Sequence, residues 1–386
     1  MHRRAWLGTG LGLSVSHRVA WAAAPQAEAE AVLGVAGPIS GPTSAFGLDM
    51  AAGARMAVDE LQAARQAVGG RPVRWRAMVE DDQNDPRQAT AVAQKFADAR
   101  VQGVIGHLSS GCCFAASRIY ERAGIPMITP AATDPRLARQ GFKTFFRIIA
   151  DDDAIAPGLA HYAAHDLGLR RVAIVDDRSA YGQSVVSGFA RAARREGMSI
   201  IGREYPSARS TDFSAVLTRL RARRPELLFY GGNFAQAGPM LRQIAGLGLD
   251  VRFMGGDFLC APELARLAGS AVNIAVCASS GIPLQRMPAG KAWKQRFDKR
   301  RDANAYQAFA PYAYDAVMVL AHAMDKAGST QPARYLGSIR DVDMDGVTRR
   351  RIRFGPDGNL AHPEITLIQF RQGRMQAVAV RAGQAS

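Results

Sequence analysis

The residues best placed to do chemistry are the hydroxyls of two short turns within residues 106–135, GHLSSGCCFAASRIYERAGIPMITPAATDP. Ser109 and Ser110 follow an expected strand ending at Gly106 and His107, and precede an expected helix over 112–123. Ala131, Ala132 and Thr133 follow the next expected strand, 126–129. Both turns therefore fall at the carboxyl ends of successive strands, where open α/β sheets bind ligands. A helix N-terminus presents free N–H groups and a positive dipole end, so a carboxylate held by Ser110, Thr133 and nearby backbone is the simplest use of such a place. The competing reading makes Ser110 and Thr133 plain helix caps.

Other reactive types lack partners at motif spacing. His107, His161 and His165 have no neighbouring nucleophile, no G-x-S-x-G occurs, and Cys112 has no base beside it, so no catalysis is expected. The loop GPISGPTSAFG lacks both G-x-G-x-x-G and a Gly-Lys-Ser/Thr, which argues against a nucleotide. EDDQNDP lacks calcium-loop spacing and reads as a strand end with Asn84 or Asp85 capping a helix. No spacing suggests a metal, and no cofactor is expected.

The elements that must carry these turns alternate strictly. Strands at 31–36, 72–80, 103–106, 126–129 and 145–149 are separated by helical patterns, and the alternation restarts after Asp151 with strands at 171–175, 199–204, 226–230, 251–254 and 271–278. Such alternation predicts parallel sheets with helices on both faces. Length alone, 386 residues, suits two such lobes. Crossings near 150, 281 and 358 divide the chain into 31–150 plus 281–358 and 151–280 plus 359–386. The expected fold is two doubly wound parallel-sheet lobes joined by a three-strand hinge, with a cleft able to close on a ligand. The last part, 350–380, turns to strand-and-turn chemistry around GPDG and RQG.

Residues 1–22 read as an export signal. Basic residues come first, then an apolar stretch, then Ala20-Trp21-Ala22 as a cleavage pattern; Arg3-Arg4 resembles a twin-arginine signal. No run of eighteen apolar residues predicts a membrane span. The net charge of +15 is spread without an aromatic-interleaved stripe or a DNA-binding motif, so no nucleic acid is expected. Its clusters, Lys291, Lys294, Lys299, Arg300 and Arg301, and Arg349–Arg351 with Arg353, read as solvated faces. Of four cysteines, adjacent Cys112 and Cys113 are expected to be small buried residues; whether Cys260 and Cys277 pair is left open.

Taken together, GPISGPTSAFG, EDDQNDPRQATAVAQKF, GVIGHLSS, AGIPMITPAATDP, DDRSAYGQS, DFSAVLTRLRARRPELLFYGG, FMGGD and YAYDAV resemble the leucine/isoleucine/valine-binding family, the type I periplasmic receptors of ABC importers. The resemblance implies a zwitterion clamp: Ser110 for the ligand carboxylate, Thr133 beside it, a backbone contact at Ala131, Asp257 for the α-ammonium and Tyr181 closing from the second lobe. It also implies a periplasmic, monomeric receptor that delivers an amino acid, branched-chain or related, to an ABC permease. Three positions depart from the family pattern. Phe46 and Asn233 stand where pocket tyrosines are usual, and Phe258 where glycine is common. The family's disulfide positions fall on Asn84 and Ser109. A ligand-sensing receptor or regulator for amides or small carboxylates is the alternative.

Overall fold

The computed structural model describes residues 29–207, 210–300 and 306–383; the expected export segment at 1–22 and Arg301 lie outside them. The first unit runs β1 (Ala29–Gly37), α1 (Ser44–Ala63), β2 (Val73–Asp81), α2 (Pro86–Asp98), β3 (Gly103–Gly106), α3 (Ser110–Ala123), β4 (Met127–Thr129) and β5 (Phe145–Arg147). β3, β4 and β5 are wholly buried and apolar or nearly so, as strands covered on both faces must be. All five strands are parallel, in the order β2-β1-β3-β4-β5.

The second unit follows as α4 (Asp152–His161), β6 (Arg171–Asp176), α5 (Ala180–Arg195), β7 (Ser199–Glu204), α6 (Ser214–Arg221), β8 (Leu227–Gly231), α7 (Phe234–Gly246), β9 (Arg252–Gly255), α8 (Pro262–Ala268) and β10 (Ala275–Ser280). Then come α9 (Gly290–Phe297), α10 (Ala310–Ala327) and α11 (Pro332–Arg340), and a terminal hairpin of β11 (Glu364–Arg371) and β12 (Arg374–Ala382). The second sheet has the order β12-β11-β10-β9-β8-β6-β7; β6 to β10 are parallel and the hairpin adds antiparallel to β10. α10 packs on α1 and β3, returning the chain to the first unit. A parallel bridge from Arg147 to Asn359 then carries it past β5 before β11 joins the second sheet.

In each sheet the first strand lies between the second and third. Chain direction therefore reverses between β1 and β3, and again between β6 and β8, and the crevices at such switch points are where doubly wound sheets hold ligands. The helix starts at these points carry Phe46 and Ser110 in one unit, Tyr181 and Asn233 in the other. Three of these helices start on a side-chain cap: Ser109 for α3, Ser179 for α5 and Asn233 for α7.

One expectation shifts. The apolar run 271–278 is not one strand: Gly269 (φ 60°) ends α8, a tight 3-10 turn occupies 269–274, and β10 begins only at Ala275. The basic clusters lie on solvent-facing surface, where Lys294 pairs with Asp298, Arg300 with Asp59, and both Arg351 and Arg353 with Asp343.

Cys260 and Cys277 form a disulfide, and Cys112 and Cys113 are free and buried. The bond ties the turn after β9 to β10 across a separation of 17 residues. Closing a loop of this size removes roughly 3 kcal/mol of unfolded-state entropy. Cys260→Ser/Cys277→Ser is expected to lower stability by about that amount in urea titrations. Reductant should bring the wild type to the same midpoint and leave the variant unmoved; an unmoved wild type would mean the bond adds nothing.

Candidate functional site

The helix caps place the side chains. Ser109, not Ser110, caps α3, its Oγ accepting from the Cys112 N–H at 3.4 Å. Asp134, not Thr133, caps the short 3-10 turn at 135–140. The cap reading of Ser110 and Thr133 therefore fails. Ser110 is the first helical residue of α3, fully buried, and its Oγ accepts from the Asp134 N–H at 3.3 Å, leaving the hydroxyl hydrogen to be donated. Thr133 is fully buried, and its hydroxyl has no hydrogen-bond partner in the protein.

The turn that presents Thr133 is held from behind by Arg147, a residue the sequence did not single out. Its buried guanidinium donates to the carbonyls of Ala132 (3.1 Å) and Asp134 (2.9 Å) and to Asn359 Oδ1 (2.7 Å). Ala131 gives its N–H to Thr129 Oγ1 at 3.3 Å, so the group it can still offer is its carbonyl.

Facing this turn is a second missed residue. Asp152 opens α4, capped by Asp151, and its N–H donates to the Thr133 carbonyl at 2.9 Å. One carboxylate oxygen accepts from Ser184 Oγ at 2.5 Å; the other, Oδ1, has no partner. Burial pushes the Asp152 carboxyl well above the usual range; Ser184 opposes this, the nearby Asp257 charge adds to it, and the adjacent Thr133 hydroxyl works with Ser184. The signal was there in Asp151-Asp152-Asp153, since a helix needs one capping Asp and leaves the others without a structural duty.

Asp257 completes the group. It follows β9, is buried, and accepts from Tyr181 Oη at 2.9 Å through Oδ1, while Oδ2 has no partner. Tyr181 Oη itself accepts from the Phe258 N–H at 3.3 Å, so hydroxyl and carboxylate are locked in one orientation. Burial raises the Asp257 carboxyl to about 7, against the opposing hydrogen bond from Tyr181. The cluster Thr133, Asp152 and Asp257 thus gathers three unpartnered buried oxygens, two of them on carboxyl groups.

An aromatic wall adjoins it. Phe46 lies 4.9 Å from Phe234, 5.4 Å from Phe258 and 5.0 Å from Phe309, centroid to centroid, and Tyr181 stacks on Phe258 at 4.6 Å. Phe46 and Phe309 come from the first-sheet side, Phe234, Phe258 and Tyr181 from the second. Asn233 stands apart from this wall: its Oδ1 caps α7 by accepting from the Ala235 N–H at 2.9 Å, and it lines a mouth of about 570 Å³ with Asn84, Ser109, Gly111 and Tyr181. At that mouth α3 and α5 meet N-terminus to N-terminus, and a Cβ on Gly111 would come within 3.9 Å of the Ala180 Cβ.

Two α/β units with their switch points face to face, buried carboxyls at the seam and three chain crossings are the architecture of a two-lobed binding-protein fold. A sequence profile of the periplasmic binding protein family matches residues 30–374, and the chain belongs to that family. It is 29% identical over 340 residues, 88% of this chain and 90% of the other, to a leucine-, isoleucine-, valine-, threonine- and alanine-binding protein of Pseudomonas aeruginosa. A leucine-binding protein of Thermotoga maritima superposes with a TM-score of 0.83 at 25% identity, covering 91% of this chain and 98% of that one. A solute-binding protein of R. palustris in complex with 4-hydroxybenzoate shares the fold at a TM-score of 0.79 and 18% identity, covering 92% and 98%. At family level these relatives are receptors for solutes, not enzymes. No described helix is long and apolar enough to cross a membrane.

Proposed function

We propose that this protein is a periplasmic receptor of an ABC importer that captures an amino acid with an apolar side chain and presents it to a permease. The two lobes would divide as 31–150 plus 281–358 and 151–280 plus 359–386, each contributing one wall of the site. The observation that carries the reading is the pair of buried carboxylate oxygens without a close hydrogen bond, Asp152 Oδ1 and Asp257 Oδ2, beside the Thr133 hydroxyl. Buried acceptors without donors are costly, and two acids at one place call for a cation. An α-ammonium supplies three N–H donors, one for each of these oxygens. The ligand carboxylate then falls toward the Ser110 hydroxyl and the N-terminus of α3, where a helix end favours negative charge. The side chain meets the phenylalanine wall, which offers dispersion and no hydrogen bonds. One chain contains every part of this site, so a monomer suffices.

The test is a thermal-shift and calorimetric panel pairing each amino acid with its deaminated acid: leucine with 4-methylpentanoate, phenylalanine with 3-phenylpropanoate, and 4-hydroxybenzoate besides. A ligand that binds only the folded state raises the melting temperature by mass action. Leucine, valine or phenylalanine should raise it, and the matched acids should not. A response to the acids or the benzoate with none to any amino acid would overturn the ammonium assignment and favour a receptor for small carboxylates.

A further inference from the structure

The helices that deliver Asp152 and Tyr181 to the cleft carry a second constellation at their other ends. α4 finishes at His161 and runs on into a π-helical turn at 162–166, a local widening that often marks a functional place. The turn sets His165 beside His161, with ring centroids 4.5 Å apart. From the end of α5, Glu196 reaches both rings: Oε1 lies 3.3 Å from His161 Nδ1 and Oε2 2.7 Å from His165 Nε2. Ligand atoms of all three residues fall within 4.8 Å of one another.

Two imidazoles and a carboxylate are the donor set of a borderline divalent metal. Zinc bonds of about 2.0–2.2 Å in a tetrahedron put neighbouring ligand atoms roughly 3.3–3.6 Å apart. The His161–Glu196 separation already matches such an edge, and the site is open enough to leave a fourth position to water. Asp166, in the same turn, is paired with Arg381 at 3.0 Å and is not needed.

We propose that His161, His165 and Glu196 form a site for one divalent transition-metal ion of the zinc class, which clips the distal ends of α4 and α5 together. The ion makes no contact with the cleft. It acts on the packing of the two helices whose opposite ends hold Asp152, Tyr181 and Ser184.

The experiment uses the tag-free full chain, stripped with chelator and then titrated with ZnCl2 by calorimetry. Co2+ absorption in the visible serves as a geometric probe, and melting is followed with and without metal. One equivalent of Zn2+ should bind and raise the melting temperature, Co2+ should give the intense bands of a tetrahedral site, and Mg2+ should do neither. His161→Asn/His165→Asn and Glu196→Gln should weaken Zn2+ at least about tenfold. Both variants should retain near-wild-type melting without metal and unchanged response to the cleft ligand. Absence of saturable Zn2+ binding, binding that survives the double substitution, or an equal response to Mg2+ would overturn the site.

Discussion

Asp257→Asn is expected to lose nearly all ligand affinity and, at pH 8, to melt at a higher temperature than the wild type. Both effects come from one buried carboxylate whose one side-chain hydrogen bond is from Tyr181. Truncating a desolvated charge partner costs about 2–5 kcal/mol of binding, a few tens-fold to a few thousand-fold in Kd. The stability gain follows from linkage. The Asp257 carboxyl is raised by burial to about 7 in the folded chain and sits near 3.9 when unfolded. Between those values the folded state binds the extra proton, so stability from this group is full below pH ~4 and is lost as pH rises to about 7. Three pH units correspond to ~4 kcal/mol, an upper order of magnitude for what ionised Asp257 costs the ligand-free protein. Asparagine keeps the shape and removes the charge. Ligand binding runs the other way. An ammonium pairs only with the ionised acid, so affinity should fall up to about tenfold per unit as pH drops below 7. The checks are melting curves of both proteins from pH 5 to 8.5 and calorimetry over the same range. A variant that is less stable than wild type at pH 8, or that binds as well, would remove Asp257 from the role given to it.

Asp49→Ala should cost on the order of 3–5 kcal/mol in stability, for a reason outside the polar cluster. Asp49 is buried in α1 and accepts the N–H groups of Gln307 (3.1 Å), Ala308 (3.0 Å), Phe309 (2.7 Å) and Ala310 (3.0 Å). Phe309 and Ala310 start α10, whose N-cap residue gives no side-chain cap, and Gln307 and Ala308 lead into it. Burial raises the Asp49 carboxyl while the four N–H groups oppose it. Alanine leaves the donors unpaired and releases Phe309, which the same bonds hold against Phe46. Urea denaturation measures the first consequence; a tenfold or greater loss of affinity, about 1.4 kcal/mol, measures the second. Asp49→Asn keeps an acceptor and should fall between. An alanine variant as stable as the wild type would show that α10 finds other partners.

Much of the fold is legible in the sequence, because it lies in local pattern. The strand–helix alternation, the strands at 103–106 and 171–175 and the three crossings are all carried by apolar runs and turn residues. What pattern could not settle is which of two adjacent polar residues does the capping. Ser109 against Ser110 and Asp134 against Thr133 differ by one position, and only the helix start decides which hydroxyl is free. Asp152 was missed because an Asp triplet before a helix looks like capping and charge, and its unpartnered oxygen is a fact of packing. Arg147 was missed because its partners are carbonyls, which a sequence does not display. Asn233 lines the cleft mouth, and its side-chain oxygen also serves the start of α7, a double duty that a sequence does not display. The resemblance brought Phe46 and Phe258 to notice as departures; their mutual contact with Phe234 and Phe309 required the three-dimensional arrangement.

The ring cluster also has a kinetic side. If the lobes hinge as proposed, Phe46 and Phe309 would part from Phe234 and Phe258, and aromatic contacts of this kind are worth about 0.5–1.5 kcal/mol each beyond their buried area. Such contacts would favour the shut arrangement in its own right, and an entry-competent minority would lower apparent affinity by its fraction. Capture would then be timed by opening, the observed rate at high solute concentration levelling off at the speed with which the rings separate, whatever solute is waiting outside.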